Sequence, residues 1–357
     1  MTAGTREVRA HLLALLLAEP GAFVSGEAVS GALNMTRAAV WKHMQALEQE
    51  GWPIESLPRR GYRLSEAQPY PYAAAAISAL LRDMGESFPW RIVLEDEVDS
   101  TSSRLKEMAA AGEPEGTVLI AETQTGGRGR MGRQWASQRG RGIWMSVLLR
   151  PPLAPGQVQT LTLAAAVAVV EALRDTLAEQ AESAAFPAAD IPEALAAACG
   201  VKWPNDVLWQ GKKLCGILTE LAAEPDRLSH VVIGIGLNVS HRAEDFPEPL
   251  RQTAASVSQL LRAAGIEAPP NRNRLCAHLL HRLAGAYGEL LAGRLPTILA
   301  RWRQMSVTLG SDIQVLAPEG ARHARAVDIG EDGRLLVAYP DGRQEWLLSG
   351  EISIRSS

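Results

Sequence analysis

At 357 residues the chain is long enough for about two or three domains with buried cores. Its 46% hydrophobic and 21% charged residues exclude a disordered or fibrous protein. A formal net charge of −4 excludes a histone-like basic protein, although not a small basic site. Only five of the 36 basic residues are lysine: Lys42, Lys106, Lys202, Lys212 and Lys213. Lysine is a compact point charge and arginine a planar fork, so the cluster at 202–213 is the first place to look for chemistry.

Cys199, Cys215 and Cys276 are far apart and form no CxxC pair. They read as buried or idle thiols in a reducing compartment, not as a disulfide framework or zinc site. The histidines show no paired ligand spacing, and no metal-binding residue is assigned. The apolar N-terminal run carries Arg6, Glu7 and Arg9 and reads as a helix, not a signal peptide. The run Leu161–Leu173 is too short to span a bilayer. A cytoplasmic protein with no membrane partner is expected.

Residues 1–66 form the first region. Val8, Leu12, Leu15 and Leu16 recur at helical spacing before Pro20-Gly21. Glu27–Leu33 reads as a second helix, and Arg37–Gln49, capped by Thr36, as a third with Val40, Met44 and Leu47 inward. Ile54 to Leu64 reads as a hairpin turning at Arg59-Arg60-Gly61. Three helices and a hairpin make a winged helix-turn-helix pattern, with the third helix for a major groove and the wing for phosphates. Residues 67–90, with three prolines around an Ala-rich helix, read as a connector. Residues 91–305 mix strands (Val118–Ala121, Ile143–Leu149, Val231–Ile235) with helices (Thr101–Ala111, Leu161–Ala178, Asn273–Ala292). The Ala-rich stretch 179–198 reads as an insertion or loose loop. Residues 306–357 read as a small barrel-like β domain, with hairpin turns at Asp332-Gly333 and Asp341-Gly342. The fold class is α+β multidomain.

Four constellations carry chemistry. Between Gly126 and Arg133 lie four Gly and three Arg without an acid. Glycine lets backbone wrap a ligand, and arginine forks suit phosphate or carboxylate. This is neither a Walker A loop nor a GxGxxG fingerprint, and a flexible surface or nucleic-acid loop is the bland alternative. The second is Lys202-Trp-Pro-Asn205-Asp206 followed by Gly211-Lys212-Lys213-Leu-Cys-Gly. Two antiparallel strands turning at Gln210-Gly211 would bring Asn205-Asp206 toward Lys213, and a carboxylate there keeps the ammonium charged and oriented. The third, Gly234-Ile-Gly236-Leu-Asn238, ends a strand where a planar ligand could lie. The fourth, Ser100-Thr101-Ser102-Ser103, opens a helix, where capping and ligand contact are compatible.

Together the GRGRMGR, KWPND, GKKLCGILTE and GIGLNV segments resemble the bifunctional biotin protein ligases of the biotin operon repressor type, over nearly the whole chain. The resemblance implies a class II synthetase-like mixed α/β ligase domain and a C-terminal SH3-like β-barrel. It implies biotin and Mg-ATP as substrates, biotinyl-5'-AMP as intermediate and corepressor, and transfer to a lysine of a biotin carboxyl carrier protein. Ser100, Thr101, Ser102 and Gln124 would line the biotin pocket, and Arg128, Gly129 and Arg130 would close over biotin and adenylate. Lys213, Arg130 and Asp206 would be catalytic; Lys202, Asn205 and Asn238 would bind ATP. Ser25, Thr36, Arg37, Trp41, Lys42, Arg59 and Arg60 would face operator DNA, with a homodimer in the adenylate-bound state. Ser102 stands where the family usually has Asn, and Met131 where it has a basic residue. The alternatives are a biotin-sensing DNA-binding repressor without turnover, and a lipoyl-type ligase, against which the GRGRMGR loop argues.

Overall fold

The computed structural model describes residues 3–18, 21–65, 70–183, 199–224, 227–267, 269–317, 320–348 and 351–354. The chain divides into two units: residues up to Ser87 with Asn271–Ala277, and Phe88–Pro270 with His278 onward.

In the first unit, helices α1 (Ala3–Ala18), α2 (Gly26–Leu33) and α3 (Arg37–Gln49) precede the antiparallel hairpin β1 (Ile54–Leu57) and β2 (Gly61–Leu64). Side-chain caps start two of these helices. Ser25 Oγ accepts from the Ala28 N–H at 3.0 Å and Thr36 Oγ1 from the Ala39 N–H at 3.2 Å. Leu12, Leu16, Val29, Val40, Met44, Leu47 and Leu64 form the core. Helix α4 (Ala74–Asp83), in the stretch expected as a connector, adds Ala76 and Ala79 to that core. The wing is fastened at its base, where Val24 and Tyr62 exchange both backbone hydrogen bonds. Gly61 makes this approach possible: its φ is 103°, and a β-carbon would lie 2.0 Å from the Val24 carbonyl oxygen.

The second unit is built on a seven-stranded mixed sheet. Its strands are β3 (Arg91–Val98), β4 (Thr117–Gln124), β5 (Gly142–Leu149), β6 (Cys199–Lys202), β7 (Asp206–Trp209), β8 (Lys212–Glu224) and β9 (Arg227–Asn238), in the order β3-β4-β5-β9-β8-β7-β6. Only β3 and β4 run parallel. Helix α5 (Thr101–Ala110) packs Leu105 and Ala109 on Leu119, Leu148 and Val232. Helix α6 (Val158–Ser183) covers the opposite face, where Thr162 meets Thr219 across 2.8 Å between hydroxyls. It passes the expected end at Ala178 and corrects the reading of 179–198 as a loop throughout. The run Ala178 to Ser183 is rich in helix-forming residues and contains no breaker. The rest of that segment, 184–198, lies outside the described residues.

Helices α7 (Val257–Ala263), α8 (Arg272–Leu291) and α9 (Leu295–Met305) follow. The C-terminal strands are β10 (Asp312–Ala317), β11 (Gly320–Ile329), β12 (Leu335–Ala338), β13 (Gln344–Leu347) and β14 (Glu351–Ile354). They form an antiparallel sheet in the order β13-β12-β11-β10-β14. Both expected hairpin turns are present, with Gly333 and Gly342 at φ 82° and 83°. Among the described residues β13 and β14 do not pair, so the sheet is open and the expected barrel closure is not seen. No helix among them is long and apolar enough to cross a membrane.

Trp203 ties this sheet to the central one. Its backbone N–H donates to Thr308 Oγ1 at 2.9 Å and its indole N–H to the Gly333 carbonyl at 3.0 Å. The side chain is fully buried. Trp203→Phe should therefore lower the unfolding free energy by about 2 kcal/mol, from the lost hydrogen bond and the void left behind. Urea denaturation checks this; an unchanged midpoint would show that the indole anchor carries no weight.

Candidate active site

One cavity of about 770 Å³ lies on the α5 face of the central sheet. Ser100, Thr101, Ser102, Gln124, Arg128, Gly129, Arg130, Lys202, Asn205, Asp206, Lys213 and Asn238 all line it. Strand alternation and one irregularity explain how they meet. Lys213 pairs with Leu208 and Gly216 with Asp206, so both lie on the face that carries Asp206 and Leu208. Residues 213 and 216 would point to opposite faces of an unbroken strand. The register shift between Val207 and Leu208 inserts one residue in β8 and reverses the alternation beyond it. Gly216 and Leu218 thus face the cavity, Glu220 lies farther along the same face, and Cys215 and Thr219 face away. The turn is the expected one: Gln210 and Gly211 have φ 48° and 76°, the pattern of a two-residue hairpin that matches strand twist.

Lys213 Nζ lies 2.7 Å from Asp206 Oδ1. Above Gly216 it also sits 5.2 Å from the ring centre of Trp135. That indole rests on two glycines: a β-carbon at Gly216 would lie 2.7 Å from its Cζ3, and one at Gly236 2.6 Å from its Cε2. Farther along β9, a β-carbon at Gly234 would lie 2.6 Å from Ser102 Oγ. Gly234 thus seats the hydroxyl end of the cavity and Gly236 the aromatic end, two residues or roughly 7 Å apart on one face.

At the hydroxyl end, Ser100 caps α5 by accepting from the Ser103 N–H at 3.3 Å. Gln124 Oε1 accepts from the Thr101 N–H at 2.8 Å. In the loop, Arg128 Nη2 lies 3.1 Å from Glu220 Oε2, and Arg130 Nη1 donates to Asn205 Oδ1 at 3.1 Å. Asn205 Nδ2 in turn donates to the Ile217 carbonyl at 2.7 Å. Gly129 donates its N–H to the Arg133 carbonyl at 2.7 Å, closing the turn around Arg130. Met131, at φ 56° and 75% exposed, points to solvent, so the missing basic residue there removes charge from the rim only. Lys202 ends β6 opposite Asp206. Asn238 gives its amide N–H groups to the Ala255 and Lys213 carbonyls at 3.1 and 3.4 Å, which leaves its oxygen for a ligand.

Sequence reasoning did not assign Trp135, Glu220 or Ser146. Glu220 stands inside the GKKLCGILTE segment and Trp135 two residues past the GRGRMGR loop, where residue type is the available signal. Ser146, within the apolar strand β5, gave none. Glu220 also supplies a role for Lys106, whose Nζ lies 2.7 Å from Glu220 Oε1. No thiol is poised to react: burial pushes Cys199 and Cys276 up to about 12 and raises Cys215 further. Among the described residues no cluster of His, Cys, Asp or Glu could by itself hold a metal.

In the first unit, Ser25, Thr36, Arg37, Trp41, Lys42, Arg59 and Arg60 are all exposed, Trp41 by 53%. Ser25 and Thr36 are also helix caps, Arg37 pairs with Glu27 at 3.3 Å, and the Arg60 guanidinium lies 4.2 Å from the Phe23 ring centre.

These features define a ligase-type site in a chain that also carries a helix-turn-helix unit, and comparison with known proteins agrees. Residues 95–238 match the Biotin/lipoate A/B protein ligase family, residues 8–63 an HTH domain and residues 308–355 the Biotin protein ligase C terminal domain. The chain is 36% identical over 335 residues to the bifunctional ligase/repressor BirA of Bacillus spizizenii, covering 94% of this chain and 95% of that one. It is 30% identical over 350 residues to BirA of Escherichia coli, with 97% of each covered. A solved biotin protein ligase from Aquifex aeolicus, in complex with biotin and ATP, superposes with a TM-score of 0.58 at 30% identity, covering 75% of this chain and 99% of that chain. The chain belongs to the bifunctional biotin ligase/repressor family.

His241 lines the same cavity, only 2% exposed and stacked on Phe246 with ring centres 4.6 Å apart. Burial holds its pKa down to about 4 from the ordinary 6.5, Asp245 opposing and Arg141 adding to the effect. Between those values the unfolded chain binds the proton that the folded chain refuses. Stability is therefore full above pH 6.5 and falls toward pH 4, by on the order of 2 to 3 kcal/mol from this residue. His241→Phe should flatten that part of the stability–pH curve; an identical slope in the variant would contradict the buried-neutral assignment.

Proposed function

We propose that this chain is an ATP-dependent biotin protein ligase that also acts as a biotin-responsive transcriptional repressor. The observation that carries the ligase reading is the Lys213–Asp206 pair, standing in one cavity with the hydroxyl end and the Trp135 platform. Biotin's ring would lie among Ser100, Thr101, Ser102 and Gln124. Adenine would stack near Trp135, within reach of the Asn238 oxygen, and Lys202 and Asn205 would support the ATP. Magnesium would enter as part of the Mg-ATP substrate, since such ions rely on phosphate oxygens and water with few protein ligands.

In the first step a carboxylate oxygen of biotin attacks the α-phosphorus. A carbon-bound oxygen joins phosphorus, the bond to the bridging oxygen of the β-phosphate breaks, and pyrophosphate leaves with that electron pair. Two anions must approach each other, and the Lys213 ammonium between them offsets their repulsion. Asp206 keeps that ammonium charged and aimed. Arg128 and Arg130 exchange Glu220 and Asn205 for ligand oxygens and fold the loop over the adenylate. In the second step the amine of a carrier-protein lysine attacks the acyl carbon, loses a proton and displaces AMP. Positioning and charge suffice for both steps, in keeping with the absence of an activated thiol on the cavity face.

The division of labour would be DNA binding in 1–66, with α4 of the 67–90 stretch packed on that unit's core, catalysis in 91–305, and an SH3-like accessory domain in 306–357. Bound biotinyl-5'-AMP would favour a homodimer, and the dimer would bind operator DNA. Between Met35 and Arg63 each chain offers five basic against three acidic residues, and pairing two chains doubles that modest surplus. The setting is the cytoplasm, where carboxylase carrier domains are made.

Incubation with biotin, Mg-ATP and a biotin carboxyl carrier domain should raise the carrier's intact mass by one biotinyl group on a single lysine, with all three components required. A carrier left unmodified while biotin and ATP bind would favour a sensor without turnover. A gel shift of operator DNA should likewise need biotin and ATP together; equal binding without them would contradict the coupling.

A further inference from the structure

Beneath the first turn of α5, three buried hydroxyls stand in a row. Ser146 Oγ lies 2.8 Å from Thr101 Oγ1 and 2.9 Å from Ser102 Oγ. Thr101 and Ser102 line the cavity; Ser146, on β5, stands one layer behind them. Ordinary core serines satisfied by neighbours would look much the same. What sets this group apart is that the direction of every proton in it can be worked out.

One donor fixes the rest. The Thr101 backbone N–H can only donate, so the Gln124 amide must turn its oxygen toward it, at 2.8 Å. The amide nitrogen then faces the other way and donates to Ser137 Oγ at 2.8 Å. Thr101 Oγ1, 3.1 Å from the same Gln124 oxygen, donates to it. With its single proton committed, Thr101 accepts from Ser146. Ser146, its own proton committed in turn, accepts from Ser102. The Ser102 proton thus points inward, and the oxygen keeps only lone pairs for the cavity. At the same end Gln124 Nε2 carries a second N–H beyond the one given to Ser137. Side by side at this end, the Ser102 oxygen is therefore an acceptor and the Gln124 N–H a donor.

We propose that Ser146 is a positioning residue for substrate recognition: it locks Ser102 as an acceptor, so that the pocket selects a head group with an N–H beside a carbonyl oxygen, as in a cyclic urea. This rests on the biotin reading of the cavity and deepens it. It also accounts for a serine at 102 in place of the usual asparagine. A hydroxyl, unlike an amide, needs a buried neighbour to decide whether it donates or accepts.

The test is calorimetric titration of the full chain with biotin alone, for the parent, Ser146→Ala, Ser102→Ala and the double variant. Melting temperature and the KM for ATP are measured in parallel. Ser146→Ala should weaken biotin about tenfold, the loss of one well-placed hydrogen bond, with the ATP KM unchanged within about twofold. The double variant should bind no more weakly than Ser102→Ala, because Ser146 acts through Ser102. Ser146→Cys, similar in shape with a weaker donor, should fall between parent and alanine variant, and serves in place of the alanine variant if that chain unfolds. Biotin affinity unchanged in Ser146→Ala, effects that multiply in the double variant, or an ATP KM that rises in parallel would each overturn the inference. A parent chain that fails to bind biotin would overturn the biotin reading, and this inference with it.

Discussion

The site depends on one extra residue in β8. Up to Lys213 the strand presents one set of side chains to the cavity; beyond the bulge it presents the other. Lys213 and Gly216 can therefore share a face. Without the insertion, the surface beside the ammonium would carry the Cys215 side chain, and Trp135 would have no bed there. With it, an ammonium, its carboxylate and a flat aromatic surface lie together on a rigid sheet, with the thiol turned into the core. A sheet is a suitable base for this, because cross-strand pairing holds each side chain in register more firmly than a loop can.

The same face carries both ends of the ligand site. Glycines at 216, 234 and 236 bring Trp135 and Ser102 down onto the backbone, so the floor of the cavity is peptide, not side chain. Charge sits above it on the loop from Gly126 to Arg133, where Arg128 rests against Glu220 and Arg130 against Asn205. The protein's slight overall acidity is no obstacle, because the electrostatics of the site are local. Glu220 compensates two cations at once, Lys106 and Arg128, so a ligand anion that draws Arg128 away leaves the carboxylate still paired.

Much of this architecture is legible in the sequence, for physical reasons. The Gln210-Gly211 turn, the caps Ser25 and Thr36, and the Asp-Gly hairpins are set by local backbone preferences that a short segment states on its own. The clustering of Asn205, Asp206 and Lys213 follows from that turn. What lay beyond reach was set at a distance. The bulge at Leu214 leaves no mark in the residue pattern, because both faces of β8 carry apolar residues and polar–apolar alternation disappears. Ser146 looks like an incidental polar residue in an apolar strand until α5 is placed above it. The alanine-rich stretch after Ala178 reads as loose by composition, but alanine is the strongest helix former, and α6 runs on to Ser183. Barrel closure of the C-terminal strands is what the hairpin turns and the resemblance suggest, and local turns do not decide which edges pair.

The central claim is that the Lys213 ammonium, held by Asp206, brings carboxylate and α-phosphate together. Its most direct test is single-turnover formation of biotinyl-5'-AMP by Lys213→Ala, measured by rapid quench with the biotin Kd determined separately. Adenylate formation should slow at least about 100-fold, the scale of removing one preorganised charge-stabilising group, with the melting temperature preserved and the biotin Kd within a few-fold of the parent. Adenylate formed at the parental rate would contradict the account.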